Sequence, residues 1–237
     1  MKLDRDGLPF IALAALPAVL AAGTRRLRAA VGLVALPVAM AAFFRDPDRS
    51  PERGVAADED TVLSPADGKV MYVGPADPAA ALDGHWQQVV IFLSVTDVHI
   101  NRAPYAGTVE SVTYRPGRFL AAFTPASGAE NERSEITVVR DLADGTQRTV
   151  VFRQIVGILA RRVVTRVQPG DLLATGERIG LMKFGSRMDV FVPHEAEVLV
   201  VEKQRVVGGE TVLARWPQGR PADATPTGSI GSIATAT

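Results

Sequence analysis

The chain has 237 residues, 47% of them hydrophobic, enough for one sizeable domain with a packed core and appendages. Its 26 basic and 26 acidic residues cancel, so the charge balance gives no sign of nucleic acid as a partner. The absence of cysteine excludes disulfides, zinc–thiolate sites and thiol nucleophiles; the three histidines, His85, His99 and His194, are too widely spaced for a helical metal pair, and no metal is expected.

In chain order, residues 8 to 22 (LPFIALAALPAVLAA) and 29 to 44 (AAVGLVALPVAMAAFF) are apolar runs joined by Gly23-Thr24-Arg25-Arg26-Leu27-Arg28. Each falls short of the ~20 residues that comfortably span a bilayer. Arginines at the tip (Arg25, Arg26, Arg28) and at the exit (Arg45, Arg49) put positive charge on both sides of the second run, so the positive-inside rule does not orient it. A short helical hairpin over residues 1–45, seated in the membrane, is favoured over a cleaved signal or a buried core hairpin. From residue 46 the chain turns to short runs rich in β-branched and aromatic residues: Val70 to Val73, Val89 to Leu93, Thr108 to Tyr114, Ile136 to Arg140, Thr149 to Phe152, Val163 to Val167 and Val198 to Val201. Asp144-Gly145 between two of them is a hairpin signal. The pattern predicts a mainly β (α+β) fold over residues 46–217, a compact antiparallel domain with sandwich-hybrid-like elements and one further helix at residues 117–123. Residues 218–237, made largely of Pro, Ala, Thr, Gly and Ser, read as a disordered tail.

The tetrapeptide Phe184-Gly185-Ser186-Arg187 can contain a bond that the chain cuts in itself. Ser186 Oγ would attack the Gly185 carbonyl, which glycine's missing Cβ leaves open, and the amide would become an ester. Loss of the Ser186 α-proton would then expel the upstream chain by β-elimination, and the dehydroalanine left behind would tautomerise and, on hydrolysis, lose ammonia to become a pyruvoyl group. Alone the pair is weak evidence, because Gly-Ser is an ordinary turn dipeptide.

Other segments supply the context: Phe43-Phe44-Arg45-Asp46-Pro47, Ser64-Pro65-Ala66-Asp67-Gly68, Asp97-Val98-His99-Ile100-Asn101-Arg102-Ala103-Pro104, Glu130-Asn131-Glu132-Arg133, and Gln154-Ile155-Val156-Gly157 through Ala160-Arg161-Arg162. With Gly185-Ser186 they make roughly residues 43 to 201 resemble the phosphatidylserine decarboxylase family in its short bacterial and archaeal form. The resemblance implies a proenzyme cut into a large chain 1–185 and a small chain 186–237, with a pyruvoyl cofactor from Ser186 that takes the amine of phosphatidylserine as a Schiff base and releases phosphatidylethanolamine and carbon dioxide. It also implies membrane lipid as a partner and a place at the cell membrane, peripheral or hairpin-anchored, with the catalytic domain on the cytoplasmic side; a homo-oligomer stays open.

Within that resemblance, His99 is the base for Ser186, and Asp67 orients and charge-stabilises it. Without it, Asp67 reads as a turn residue and His99 as a structural histidine. Longer relatives carry a second histidine where this chain has Arg102, which is offered as a contact for the substrate phosphate, with a structural salt bridge as the equal alternative. A different class competes: Val167-Gln168-Pro169-Gly170-Asp171 through Lys183 looks like a biotinyl or lipoyl carrier hairpin, in which Lys183 would be the modified residue.

Overall fold

A computed structural model describes residues 2–49, 58–80, 82–158, 162–183 and 185–217. The predicted tail at 218–237, Phe184 and Arg161 lie outside the described residues. The predicted β grain is the fold: an eight-stranded antiparallel sheet runs in the order Leu172–Leu173, Gly107–Arg115, Arg133–Asp141, Gln147–Ile155, Ser186–Pro193, Trp86–Leu93, Gly68–Pro75, Arg205–Val206. Two three-stranded sheets pack around it, one of Val163–Thr165, Arg178–Met182 and Ile100–Arg102, the other of Glu197–Val198, Val212–Arg215 and Thr61–Leu63. The core between them is largely aliphatic, with Val62, Val70, Ile91, Leu93, Ile136, Met188, Val190 and Leu213 buried together with the rings of Tyr105, Phe152 and Trp216. Asp144-Gly145 closes the hairpin between Arg133–Asp141 and Gln147–Ile155, with Gly145 at φ 83°, the left-handed conformation that glycine adopts freely.

Ser186–Pro193 was not among the predicted strands, yet it lies in the middle of the large sheet. It pairs along its whole length with Trp86–Leu93 and from Arg187 to Phe191 with Gln147–Ile155. Arg187 and Asp189 break the apolar pattern of this segment and hide it from a sequence reading. In the fold the two are buried and satisfy each other, Arg187 Nε and Nη2 donating to Asp189 at 2.6 and 2.9 Å while Gln88 Nε2 donates to the same carboxylate at 2.9 Å. The helix expected at 117–123 is absent; the nearby helix is Ser127–Glu130. Buried Asn131 holds the loop open instead, accepting from Leu120 N–H at 2.9 Å and donating to the Leu120 carbonyl at 2.9 Å and the Val156 carbonyl at 2.8 Å.

At the N-terminus, helices Leu8–Gly23, Leu27–Leu33 and Ala35–Phe43 form the expected hairpin. The turn Arg5–Gly7 extends the first helix to 19 residues, Arg5–Gly23, long and apolar enough to cross a membrane and longer than the apolar run alone suggested. Leu13, Leu16, Val19, Leu20, Val31 and Val38 are exposed on the hairpin. Lys2–Leu3 pairs with Arg45–Asp46 to close its foot, and the foot is tied to the β body by Arg166, which donates to Asp4 at 2.7 and 2.8 Å, and by Phe43 and Phe44, which pack with Val98, Ile100 and Leu181. Each phenylalanine buried there contributes about 1.5–3 kcal/mol.

Candidate active site

Ser186 is the first residue of the central strand, and its hydroxyl is fully buried without a hydrogen-bond partner. A buried hydroxyl left unpaired costs about 1–3 kcal/mol, so such an atom marks a place where chemistry outweighs stability. Gly185 before it has φ 71°, a conformation other residues adopt only at a cost. Its carbonyl, the one Ser186 would attack, lies against Gly157: a Cβ added at Gly157 would collide with the Gly185 oxygen and sit 3.3 Å from its carbon. The loop carrying Gly157 is fixed by the Asn131 bond to the Val156 carbonyl and by Val156 N–H donating to the Glu132 carbonyl at 3.1 Å. Gly157→Ala is therefore expected to push the Gly185 carbonyl out of place and to slow any self-cleavage there by about 10²-fold, the usual cost of an ångström-scale misplacement. Gel densitometry of freshly translated chain checks this, and processing at the wild-type rate would show that the contact yields without consequence.

His99 reaches this bond. Its Nδ1 lies 2.9 Å from the Asp97 carbonyl, which can only accept, so the proton sits on Nδ1 and Nε2 is bare. Nε2 accepts the Gly185 N–H at 3.2 Å, while the ring packs on Phe43 with centroids 4.2 Å apart. Burial pushes the His99 pKa down to about 4, against the smaller upward pull of the Asp97 carbonyl and charge. The imidazole is thus neutral at ordinary pH. Because the unfolded chain takes up this proton near pH 6.5 and the folded chain only near 4, stability is complete above about pH 6.5 and falls as pH drops toward 4, by about 3 kcal/mol in all. Self-cleavage that needs neutral His99 should accordingly hold its rate from pH 8 to about 5 and decline below. A decline centred near 6.5 would mean that the histidine is solvated.

The other expected residues are placed differently. Asp67, expected to orient and charge-stabilise His99, makes no hydrogen bond to it, although its charge adds to the upward pull on the His99 pKa; its carboxylate takes both Nη atoms of Arg49, one at 2.7 Å, and the Gly208 N–H at 2.8 Å. The orienting contact comes from the Asp97 backbone, held by the Asp97 carboxylate accepting from Ser94 N–H and Oγ at 2.8 Å each and from Arg205. Burial alone would lower the Arg49 pKa, yet its bonds and charge contact with Asp67 raise it. Asp67→Ala is thus expected to cost about 3 kcal/mol by stranding a largely buried arginine, and Asp67→Asn less, readable as a drop in urea midpoint. Arg102, offered for the substrate phosphate or equally for a structural salt bridge, is buried with Nη1 on the Gly176 carbonyl and Nη2 on the Pro47 carbonyl, each at 2.9 Å, and Asp46 at 3.7 Å, which is the salt-bridge alternative. Its donors are committed to structure. Lys183 links strands of two different sheets and lies with Nζ 5.0 Å over the Phe10 ring, so it does not stand at the exposed hairpin tip that a carrier lysine occupies.

The structure brings the expected Ser186, Gly185 and His99 together and sets against them Gly157, Phe43 and the Asp97 carbonyl, which sequence reasoning did not single out. All three lie in the segments Phe43 to Pro47, Asp97 to Pro104 and Gln154 to Gly157, and only their contacts reveal the roles.

Residues 38–214 match the family described as phosphatidylserine decarboxylase. A phosphatidylserine decarboxylase proenzyme of Solibacter usitatus is 46% identical over 188 residues, 77% of this chain and 84% of the relative. One of Symbiobacterium thermophilum is 44% identical over 216 residues, covering 91% and 96%, and one of Azorhizobium caulinodans is 39% identical over 236, covering 97% and 93%.

Proposed function

The chain belongs to the phosphatidylserine decarboxylase family, and on that premise we propose that it cuts its own Gly185–Ser186 bond and then converts phosphatidylserine to phosphatidylethanolamine and carbon dioxide through a pyruvoyl group made from Ser186. The observation that carries this reading is the unpaired, buried Ser186 hydroxyl beside a left-handed glycine whose amide is held by a neutral histidine. In the precursor the Gly185 N–H···Nε2 bond and the Gly157 contact set the scissile carbonyl; exchanging that N–H for the Ser186 hydroxyl turns His99 into the base that frees the attacking oxygen. His99 is poised as a base and not as an acid here, so any later proton donation by it needs the burial to be relieved once the bond is cut. The site fits the implied group, since the residue that would become it is buried, unpaired and anchored at the start of a strand. A pyruvoyl group there supplies an electron-withdrawing carbonyl for the substrate's amine-bearing carbon as the carboxylate leaves.

The two products of the cut stay together on this reading. Downstream of the bond, Ser186–Pro193, Arg205–Val206 and Val212–Arg215 pair with Trp86–Leu93, Gly68–Pro75 and Thr61–Leu63 upstream of it. Arg205 to Asp97 and Gly208 N–H to Asp67 add polar ties across the cut. Chains 1–185 and 186–237 should therefore co-elute in native size exclusion and part only in denaturant. Residues 1–45 act as the membrane element and 46–217 as the decarboxylase domain. The deciding experiment is denaturing electrophoresis with mass measurement of the small fragment, alongside headgroup analysis of phosphatidylserine vesicles; a chain that stays whole while decarboxylating lipid would rule out the pyruvoyl route.

A further inference from the structure

We propose that the loops around the scissile bond form a second membrane-contact surface, an apolar rim of Val95, Phe119, Phe123 and Ile158 that rests on the same phospholipid bilayer as the N-terminal hairpin. This deepens the decarboxylase reading and rests on it for the choice of a bilayer over a protein partner. Val95, Phe119, Phe123 and Ile158 are 51%, 41%, 60% and 58% exposed. Scattered exposed apolar side chains are ordinary, but these four converge on one bond. Val95 Cγ1 lies 4.0 Å from where a Gly185 Cβ would be. Ile158 follows Gly157, which backs the Gly185 carbonyl, and Phe123 follows Ala122, whose Cβ is 3.2 Å from the same Gly157 Cβ position. Phe119 is carried by the loop that Asn131 clips at Leu120 to the Val156 carbonyl.

The rim and the foot of the hairpin approach one buried histidine: His99 holds the Gly185 N–H through Nε2 and packs its ring on Phe43, the last residue of the last hairpin helix. Arg115, at the end of its strand, and Arg162 are exposed beside these loops, cations that suit anionic headgroups around an apolar centre, while Arg118 is paired with Glu130 at 2.7 Å. The physical need is plain: carrying lipid chains through water from bilayer to site costs about 0.8 kcal/mol per CH₂, and a rim seated on the bilayer removes that step.

The chain has no cysteine, so single-site labels report cleanly. An environment-sensitive fluorophore is attached to full-length Phe123→Cys and Ile158→Cys, to Val19→Cys on the hairpin, and to Thr146→Cys at the far hairpin turn. Vesicles of two parts phosphatidylcholine to one part phosphatidylserine are added, with and without nitroxide lipid. The rim predicts blue-shifted emission and at least twofold quenching at 123 and 158 as at 19, with 146 unchanged. Labels at 123 and 158 that stay as wet as at 146 while 19 is quenched would overturn it, and so would labels already dry without vesicles, which would place another part of the chain over the rim. Self-cleavage and decarboxylation measured on the same samples keep the outcomes apart: a protein that cuts itself and decarboxylates but shows no quenching at the rim sinks only this proposal.

Discussion

Ser186→Ala is expected to leave a single uncut chain of about the full 25.2 kDa and no decarboxylase activity. Self-cleavage needs an oxygen nucleophile next to the Gly185 carbonyl, and this variant removes it while leaving the strand intact. The same change should not weaken the fold. The Ser186 hydroxyl is buried without a partner, so its deletion removes a group that costs about 1–3 kcal/mol rather than one that stabilises. A thermal melt of Ser186→Ala should therefore lie at or above that of any other uncut variant. A lower melt would mean that the hydroxyl has a partner in solution, and a cut Ser186→Ala chain would place the scissile bond elsewhere.

His99→Ala should slow self-cleavage by about 10²–10⁴-fold, the range that general-base catalysis commonly supplies. The variant also leaves the Gly185 N–H without its acceptor and a void against Phe43, so some loss of stability is expected with it. His99→Gln separates the two effects. A glutamine carbonyl can accept the Gly185 N–H but cannot take a proton at neutral pH, so this variant should recover stability and remain uncut. Added imidazole should restore part of the cleavage in His99→Ala by entering the vacated space. Processing of His99→Gln at the wild-type rate would reduce His99 to a positioning residue.

Local signals determined much of this protein without any structure. Long apolar runs mark a hairpin, short runs rich in β-branched and aromatic residues mark the strands at 89–93 and 136–140, and Asp144-Gly145 marks its turn, because each pattern is decided by residues near in sequence. Gly185-Ser186 was legible as a candidate cleavage site because the proposed reaction needs those two residue types in that order. What only the tertiary structure decided involves partners far apart in sequence. Ser186–Pro193 is a central buried strand despite Arg187 and Asp189, since those charges find each other and Gln88 on one face of the sheet. His99 is oriented by the Asp97 carbonyl rather than by the Asp67 side chain, and a backbone carbonyl carries no sequence signature. Gly157 matters because its bare Cα lets the Gly185 carbonyl approach, a close contact that exists only once the strand from 186 lies beside the strand ending at 155.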